Sequence, residues 1–313
     1  MTRAQVGDVL LLFSHLPYEY DKDLPIKITP GLYLDEIHRE ILAKAPLSLS
    51  CFVLPGYETG MGFTHCCLHS PISEEPYLRI KRNNLFFYFI TALRLRAPIG
   101  IHISGQFELS ADSELIRNPS LFNLRTPWQP NEKARYSFND INLSKDILTA
   151  LINCSNDRFK NLRNAIVLFS QVTCGFSISY QMCYLTLFVI LESLFSPKGN
   201  KAEMLSSRVA SFLSRFDHDG SIKNWLKKEY ETGRNNLAHG IWDISPDEKS
   251  FNGKNTRFGR LHEITRLCLL EFVSMDNDRL IALSQSGKKL QNELDRLQPA
   301  NGTFVEGQSM WLA

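Results

Sequence analysis

Residues 230–240 read Tyr230-Glu231-Thr232-Gly233-Arg234-Asn235-Asn236-Leu237-Ala238-His239-Gly240. Gly240 stands where helices commonly end, because glycine adopts the left-handed conformation of that position without steric cost. Ser221 upstream offers a hydroxyl for an N-cap. The two signals predict one helix over residues 221–239. Such a helix must bury a face against others, and the flanking sequence supplies them. Residues 179–195 read as a strongly apolar helix, stopped by Ser196-Pro197 and Gly199. Residues 203–216 are amphipathic, with Leu205, Val209, Phe212 and Leu213 on one face. Further helical patterns cover residues 146–152, 157–171, 258–275 and 276–297. Consecutive helices without intervening strands predict a helical bundle.

Upstream of about residue 140 the texture changes. Short apolar runs alternate with Pro25, Pro30-Gly31, Pro55-Gly56, Pro71, Pro98 and Gly100, which suits an α+β region with several loops. Residues 34–45 have helical spacing (Leu34, Ile37, Ile41, Leu42), and residues 83–95 predict another helix. Residues 99–109 alternate as a strand does, and residues 118–140, with Pro119, Pro127 and Pro130, read as a long connection. The expected fold is therefore mainly α. A helical domain occupies residues 141–300, behind a smaller α+β region over 1–140 with a regulatory or target-sensing role, and 301–313 form a tail.

The chain has 313 residues and a formal net charge of +2, so any nucleic-acid contact must come from a local patch rather than a global field. Its seven cysteines are an odd number. Cys154, Cys174, Cys183 and Cys268 sit in apolar runs and read as buried small hydrophobes in a reduced compartment. No secretory signal is visible, and the longest apolar stretch, residues 184–195, carries Glu192 and is too short to span a bilayer. A cytoplasmic protein without membrane contact is expected.

The residue types in the 230–240 segment suit RNA cleavage without a metal. That reaction needs a base for the 2′-hydroxyl proton and a cation to balance charge on the phosphorane. His239 has an unperturbed pKa of about 6.5, suited to proton transfer near neutrality. Arg234 stays charged and offers a planar fork matched to phosphate oxygens. Asn235 can hold the Arg or a phosphate through its amide. Five residues along a helix is about 140° of rotation, so the two side chains do not stack on one face. A bland alternative stands beside this one. His239 could serve only the last carbonyls of its helix, and Arg234 could simply pair with Glu192 or Glu229.

The segment resembles the Arg-polar-x-x-x-His signature of the HEPN superfamily, helical-bundle domains that often act as ribonucleases. The order of pieces resembles its Apea-like branch: Leu191-Glu192-Ser193-Leu194-Phe195, then a helix containing Arg208, then Arg234 to Gly240. The likeness covers roughly residues 145–290. It implies a C-terminal HEPN-type bundle acting as an endoribonuclease, a toxin or antiviral defence effector, with Arg234, His239 and Asn235 catalytic. It also implies a homodimer whose two segments line one cleft, with RNA as substrate and a regulatory partner or phage-derived trigger. In the family a Tyr often lies three residues before the Arg. Here Tyr230 lies four before, with Gly233 between. Ile241 stands where nucleotidylated HEPN toxins carry Tyr, so that form of control is not expected. A non-catalytic HEPN domain that binds RNA or nucleotide, or serves as a dimerisation scaffold, is the alternative.

Three further features of the sequence bear on function. Glu192 lies within an apolar helix and needs a partner, for which Arg234 and Arg208 are the natural choices. With Tyr230 and Arg208 it is expected to support the catalytic pair from behind. Cys51 and the run His65-Cys66-Cys67-Leu68-His69 hold metal-capable groups at spacings poorly suited to a tetrahedral ion, so a half-buried strand or loop is expected instead. Arg79, Lys81, Arg82, Arg94 and Arg96 flank the aromatic run 86–89 and are expected to be solvated charges around a buried helix rather than an RNA-facing surface. No Walker-type loop, dinucleotide fingerprint or serine-hydrolase elbow occurs, and neither a cofactor nor a metal is expected.

Overall fold

The computed structural model describes residues 7–16, 18, 24–36, 66–71, 76–97, 101–112, 114–118, 135–154, 159–174, 180–239 and 257–300. They are mostly helical, with an antiparallel sheet in the N-terminal part. The strands are β1 (Asp8–His15), β2 (Ile26–Thr29), β3 (Leu32–Glu36), β4 (Cys66–Pro71), β5 (His102–Leu109) and β6 (Leu115–Asn118), in spatial order β2-β3-β4-β1-β5-β6. Helix α1 (Pro76–Arg96) lies between β4 and β5. The bundle follows with α2 (Phe138–Cys154), α3 (Lys160–Cys174), α4 (Tyr180–Phe195), α5 (Lys201–Phe212) and α6 (Ser221–Lys228). A widened helical turn, Glu229–Arg234, then leads into α7 (Asn235–Ala238). Helices α8 (Arg257–Val273), α9 (Asn277–Leu283) and α10 (Gly287–Asp295) complete the described chain.

Side-chain alternation builds the sheet. In β3, Leu32 and Leu34 are buried and face the bundle core, and Leu34 pairs across to both Ile26 and Leu68. The helix expected from residue 34 is thus replaced at its start by a strand. Gly31, at a left-handed φ of 79°, closes the β2–β3 turn and commits Leu32–Glu36 to pairing, which the helical spacing of Leu34 and Ile37 could not reveal. The remainder of that expected helix and most of the 118–140 connection lie outside the described residues. The helix at 83–95 and the strand at 99–109 are present as α1 and β5.

Buried residues from β1, β3, β4, α1 and every bundle helix except α7 join a single hydrophobic core. Helix α8 runs through it. Of its residues, all but Arg257 and Arg260 are buried, and it packs on α1, α2, α3 and α4. The change of texture near residue 140 is therefore not a gap in the packing. Arg266 of α8 donates to the carbonyls of Leu95 and Arg96 at the end of α1, and forms a buried pair with Glu263 at 2.6 Å. Arg96 in turn reaches Asp140 at 2.8 Å in the first turn of α2. Charges that deep are tolerated only when their hydrogen-bonding capacity is filled.

Helix ends follow local chemistry. Asn200 caps α5 by accepting from the Glu203 N–H at 3.3 Å. Ser221 does not cap α6. Gly220 holds that position, while Asp219 accepts from the Ser221 N–H at 3.0 Å and Asp217 from the Ile222 N–H at 3.1 Å. The helix expected over 276–297 is split between α9 and α10, with Ser284 ending one and Ser286 preceding the other. Cys183 and Cys268 are buried free thiols, as expected, whereas the side chains of Cys154 and Cys174 lie outside the described residues.

Candidate functional site

The expected helix over 221–239 is not uniform. At Glu229–Arg234 it opens into a π-type turn, which accommodates one residue more than a regular turn would. The site is built on that turn and on the facing stretch of α4. Glu192 projects from α4, and one of its oxygens, Oε1, receives two donors from the turn. The Tyr230 hydroxyl donates to it at 2.9 Å, and Arg234 Nη2 lies 3.2 Å away. The Arg234 guanidinium also sits 5.2 Å over the Tyr230 ring, a cation–π distance. Tyr230 packs edge-on against Phe188 of α4, with ring centroids 5.6 Å apart. Burial, reinforced by its bond to Glu192, pushes the Tyr230 hydroxyl up to about 12, so it remains a donor.

Arg234 keeps spare capacity. Its other contact among the described residues is a long one, from Nη1 to Asn235 Oδ1 at 3.4 Å. With 29% of its side chain exposed it can still present donors outward. His239 closes α7. Its backbone N–H donates to the Asn235 carbonyl at 3.0 Å, and its imidazole is exposed with no hydrogen-bond partner among the described residues. Leu237 packs partly against the core and anchors the short helix between the two polar ends. The structure thus brings Glu192, Tyr230, Arg234 and Asn235 together. His239 stands one helical turn further on, and no described contact joins its imidazole to Arg234. Gly240 lies outside the described residues.

Arg208 goes elsewhere. Its guanidinium donates to the Phe195 carbonyl at the end of α4 at 2.6 Å and to Asp295 of α10 at 2.7 and 2.9 Å. It holds the C-terminal end of the helix that carries Glu192 but does not touch Glu192. Of the two partners expected for Glu192, Arg234 or Arg208, the structure supplies Arg234, because the α4 carbonyl and Asp295 already engage the Arg208 fork.

The sequence offers Glu229 only as a possible mate for Arg234, and the structure gives it a different role. It is buried and takes donors from Tyr184 of α4 and from Arg257 at the start of α8, whose Nε lies 2.8 Å from its Oε1. The signal for this lay in helical spacing. Ile222, Leu226 and Glu229 fall on one buried face, and a carboxylate there requires partners. Of the basic cluster, Arg94 and Arg96 are buried, bonded to the Ile101 carbonyl and to Asp140, so neither is a solvated charge or an RNA-facing one. The side chains of Arg79, Lys81 and Arg82 lie outside the described residues. Of the strand or loop expected around His69, the structure has a strand, β4. His69 is buried, stacked on Tyr33, with its ring nitrogens 3.2 Å from Asp8 and 3.5 Å from Asp35.

Among the described residues, no three His, Cys, Asp or Glu side chains converge on a common point that could hold a metal ion, and no helix is long and apolar enough to cross a membrane. No family model matches the chain, and no curated protein or solved structure matches it either, so its reading rests on the geometry of this site.

Proposed function

We propose that the chain is a HEPN-type endoribonuclease that cleaves RNA by attack of the 2′-hydroxyl, with Arg234 and His239 as the catalytic groups. The observation that carries this reading is a short helix with a tethered arginine at its start and an exposed histidine at its end, neither of them saturated by the described residues. His239 takes the 2′-hydroxyl proton, and the 2′-oxygen forms its bond to phosphorus. Arg234 balances charge on the phosphorane. The bond to the 5′-oxygen then breaks, that oxygen is protonated, and a 2′,3′-cyclic phosphate remains. Glu192 and Tyr230 keep the arginine aimed, and Asn235 steadies its outer edge. The one residue by which the Tyr230–Arg234 spacing exceeds the family pattern is taken up by the widened turn, which supports the resemblance.

Because Arg234 and His239 leave their helix about 140° apart, one chain presents them divergently. The proposal therefore includes a homodimer in which two such segments face each other about a two-fold axis. A toxin or antiviral defence effector is the setting proposed, with a regulatory partner or phage-derived trigger setting when it acts. The test is cleavage of a defined RNA in EDTA. Products ending in a cyclic phosphate and a 5′-hydroxyl are expected, with DNA and 2′-O-methyl RNA left intact. Activity abolished by EDTA and restored by a divalent ion overturns the mechanism. A strictly monomeric active species in light scattering overturns the dimer.

A second reading is favoured by one observation: Arg234 is already ion-paired with Glu192 inside one chain, as a purely structural arginine would be. It makes the protein a non-catalytic HEPN domain that binds RNA or nucleotide, or a dimerisation scaffold. Cellular RNA that remains equally intact with wild type and His239→Ala favours that scaffold.

A further inference from the structure

We infer that Glu229 and Gly233 are positioning residues for the Arg234–His239 segment: the buried Glu229 carboxylate, clasped by Tyr184 and Arg257 against Gly233, holds open the widened turn that sets which way this segment faces. The link to cleavage rests on the function proposed above, whereas the link to geometry stands without it.

Three elements meet at Glu229 Oε1. The Tyr184 hydroxyl donates from α4, Arg257 donates through Nε at 2.8 Å and through Nη2 from the first residue of α8, and Glu229 itself opens the turn. The Tyr184 hydroxyl is held protonated, by burial first and by the adjacent Glu229 charge second, so it remains a donor to the carboxylate. A buried carboxylate with donors from two other helices is strongly fixed in place.

Gly233 faces this knot. A methyl group there would fall within contact distance of Glu229 Oε1, 2.7 Å from Arg257 Nη2 and 2.9 Å from the Tyr184 hydroxyl. A Cβ there would push apart the clasped ends of Glu229, Arg257 and Tyr184, so glycine lets the backbone lie against the knot without disturbing it. Glycine here answers a close approach and not a dihedral demand.

The consequence reaches the site through helix geometry. Each residue of a regular helix advances about 100° around the axis, so an extra residue absorbed by a π-type turn changes the facing of all that follows by about that angle. If the turn tightened to a regular one, Arg234, Asn235 and His239 would rotate together, and Arg234 would leave Glu192. Tyr230 and Arg234 lie inside the turn and His239 just after it, so none is aimed by local propensity alone. Arg257, Glu229 and Tyr184 do this by holding the backbone, without touching Arg234.

The test uses the full chain with Glu229→Gln, Tyr184→Phe and Gly233→Ala, each also combined with Arg234→Ala. Two quantities are followed: RNA cleavage in EDTA, and the NMR signal of the Arg234 Nε–H, assigned by its loss in Arg234→Lys. Misplacement of a catalytic group by about 1 Å can cost up to about 100-fold, so losses of roughly 10- to 100-fold are expected, largest for Gly233→Ala. In the Arg234→Ala background, Glu229→Gln should cost clearly less than it does alone, because the part that acts through Arg234 is already lost and only the part that acts through His239 remains. The Arg234 signal should move in each single variant while circular dichroism stays unchanged. Should Gly233→Ala fail to fold, the near-isosteric Glu229→Gln still decides. An unmoved Arg234 signal in Glu229→Gln, or a full further loss of cleavage on top of Arg234→Ala, overturns the inference. If wild type does not cleave RNA at all, the proposed function fails, and the Arg234 signal alone still decides whether Glu229 positions it.

Discussion

Arg266 and Glu263 meet at 2.6 Å in the centre of the molecule with 0% and 1% of their side chains exposed, whereas Arg234 and Glu192 meet at 3.2 Å with 29% and 22% exposed. The chemical types are the same. Arg266 gives Nε and Nη2 to the two oxygens of Glu263 and Nη1 to two backbone carbonyls of α1. Among the described residues, Arg234 makes one ion-pair contact, one long amide contact and a stacking contact with the Tyr230 ring. A saturated buried pair can only hold elements together, because breaking it leaves an unpaired charge in a dry interior. An unsaturated pair at the surface contributes little to stability and keeps donors for something that arrives from outside. Spare hydrogen-bonding capacity, more than charge or residue type, separates the candidate site from the scaffold.

The harshest way to break this comparison is to remove residues 1–140. A purely regulatory role for that region would make a fragment beginning near residue 141 more toxic or less selective than the whole chain. With α1 gone, Arg266 loses the carbonyls of Leu95 and Arg96, and α8 loses one of the helices that cover it. The fragment is therefore expected to lose its cooperative thermal transition, and its activity with it. A folded, more active fragment in calorimetry and RNA-cleavage assays would contradict the scaffold role given to the buried pair.

Next come His239→Ala and Arg234→Ala. Each should lower RNA cleavage by about 10²–10⁴-fold, the usual contribution of a positioned base or charge stabiliser, with no change in circular dichroism or melting. Arg234→Lys should restore only part of the loss, since an ammonium keeps charge but not the fork. Arg266→Ala should do the reverse. Its cost is expected at about 3–5 kcal/mol in urea unfolding, through the uncompensated Glu263, with turnover per folded molecule unchanged. Equal effects of the interior and surface arginines on both readouts would erase the distinction between them.

The smallest effect concerns His69. Burial opposes its charge, but the carboxylates of Asp35 and Asp8 outweigh that opposition and raise its pKa. A raised folded-state pKa means a contribution fully present below the unfolded value of about 6.5 and lost as pH rises through the folded value. Unfolding midpoints should thus fall as pH rises above about 6.5, and the slope should flatten in His69→Gln. An unchanged slope would mean that the ring stays neutral between its two carboxylates, as the poor hydrogen-bond alignment of its nitrogens would permit.

Local pattern was enough for most of the helices. The apolar faces of α4 and α5 repeat at helical spacing, and this period survives any tertiary arrangement because burying that face is what makes a helix stable in a protein. The Arg234-Asn235-x-x-x-His239 segment was legible for a similar reason, since order and spacing along one helix are written in the chain itself. Three things were not legible. Leu32–Glu36 became a strand because Leu34 finds Leu68 and Ile26 across the sheet, partners that only long-range pairing supplies. Glu229 was claimed by Tyr184 and Arg257, distant in sequence, and that clasp accounts for a widened turn where uniform helix was expected. Arg94, Arg96, Arg208, Arg234 and Arg266 look alike as letters, and the sequence determined only that each carries a fixed charge. Which of them is filled by carbonyls and carboxylates, and which is left with donors to spare, was decided by the tertiary structure, because the free energy of a charge depends on what surrounds it and not on its neighbours in the chain.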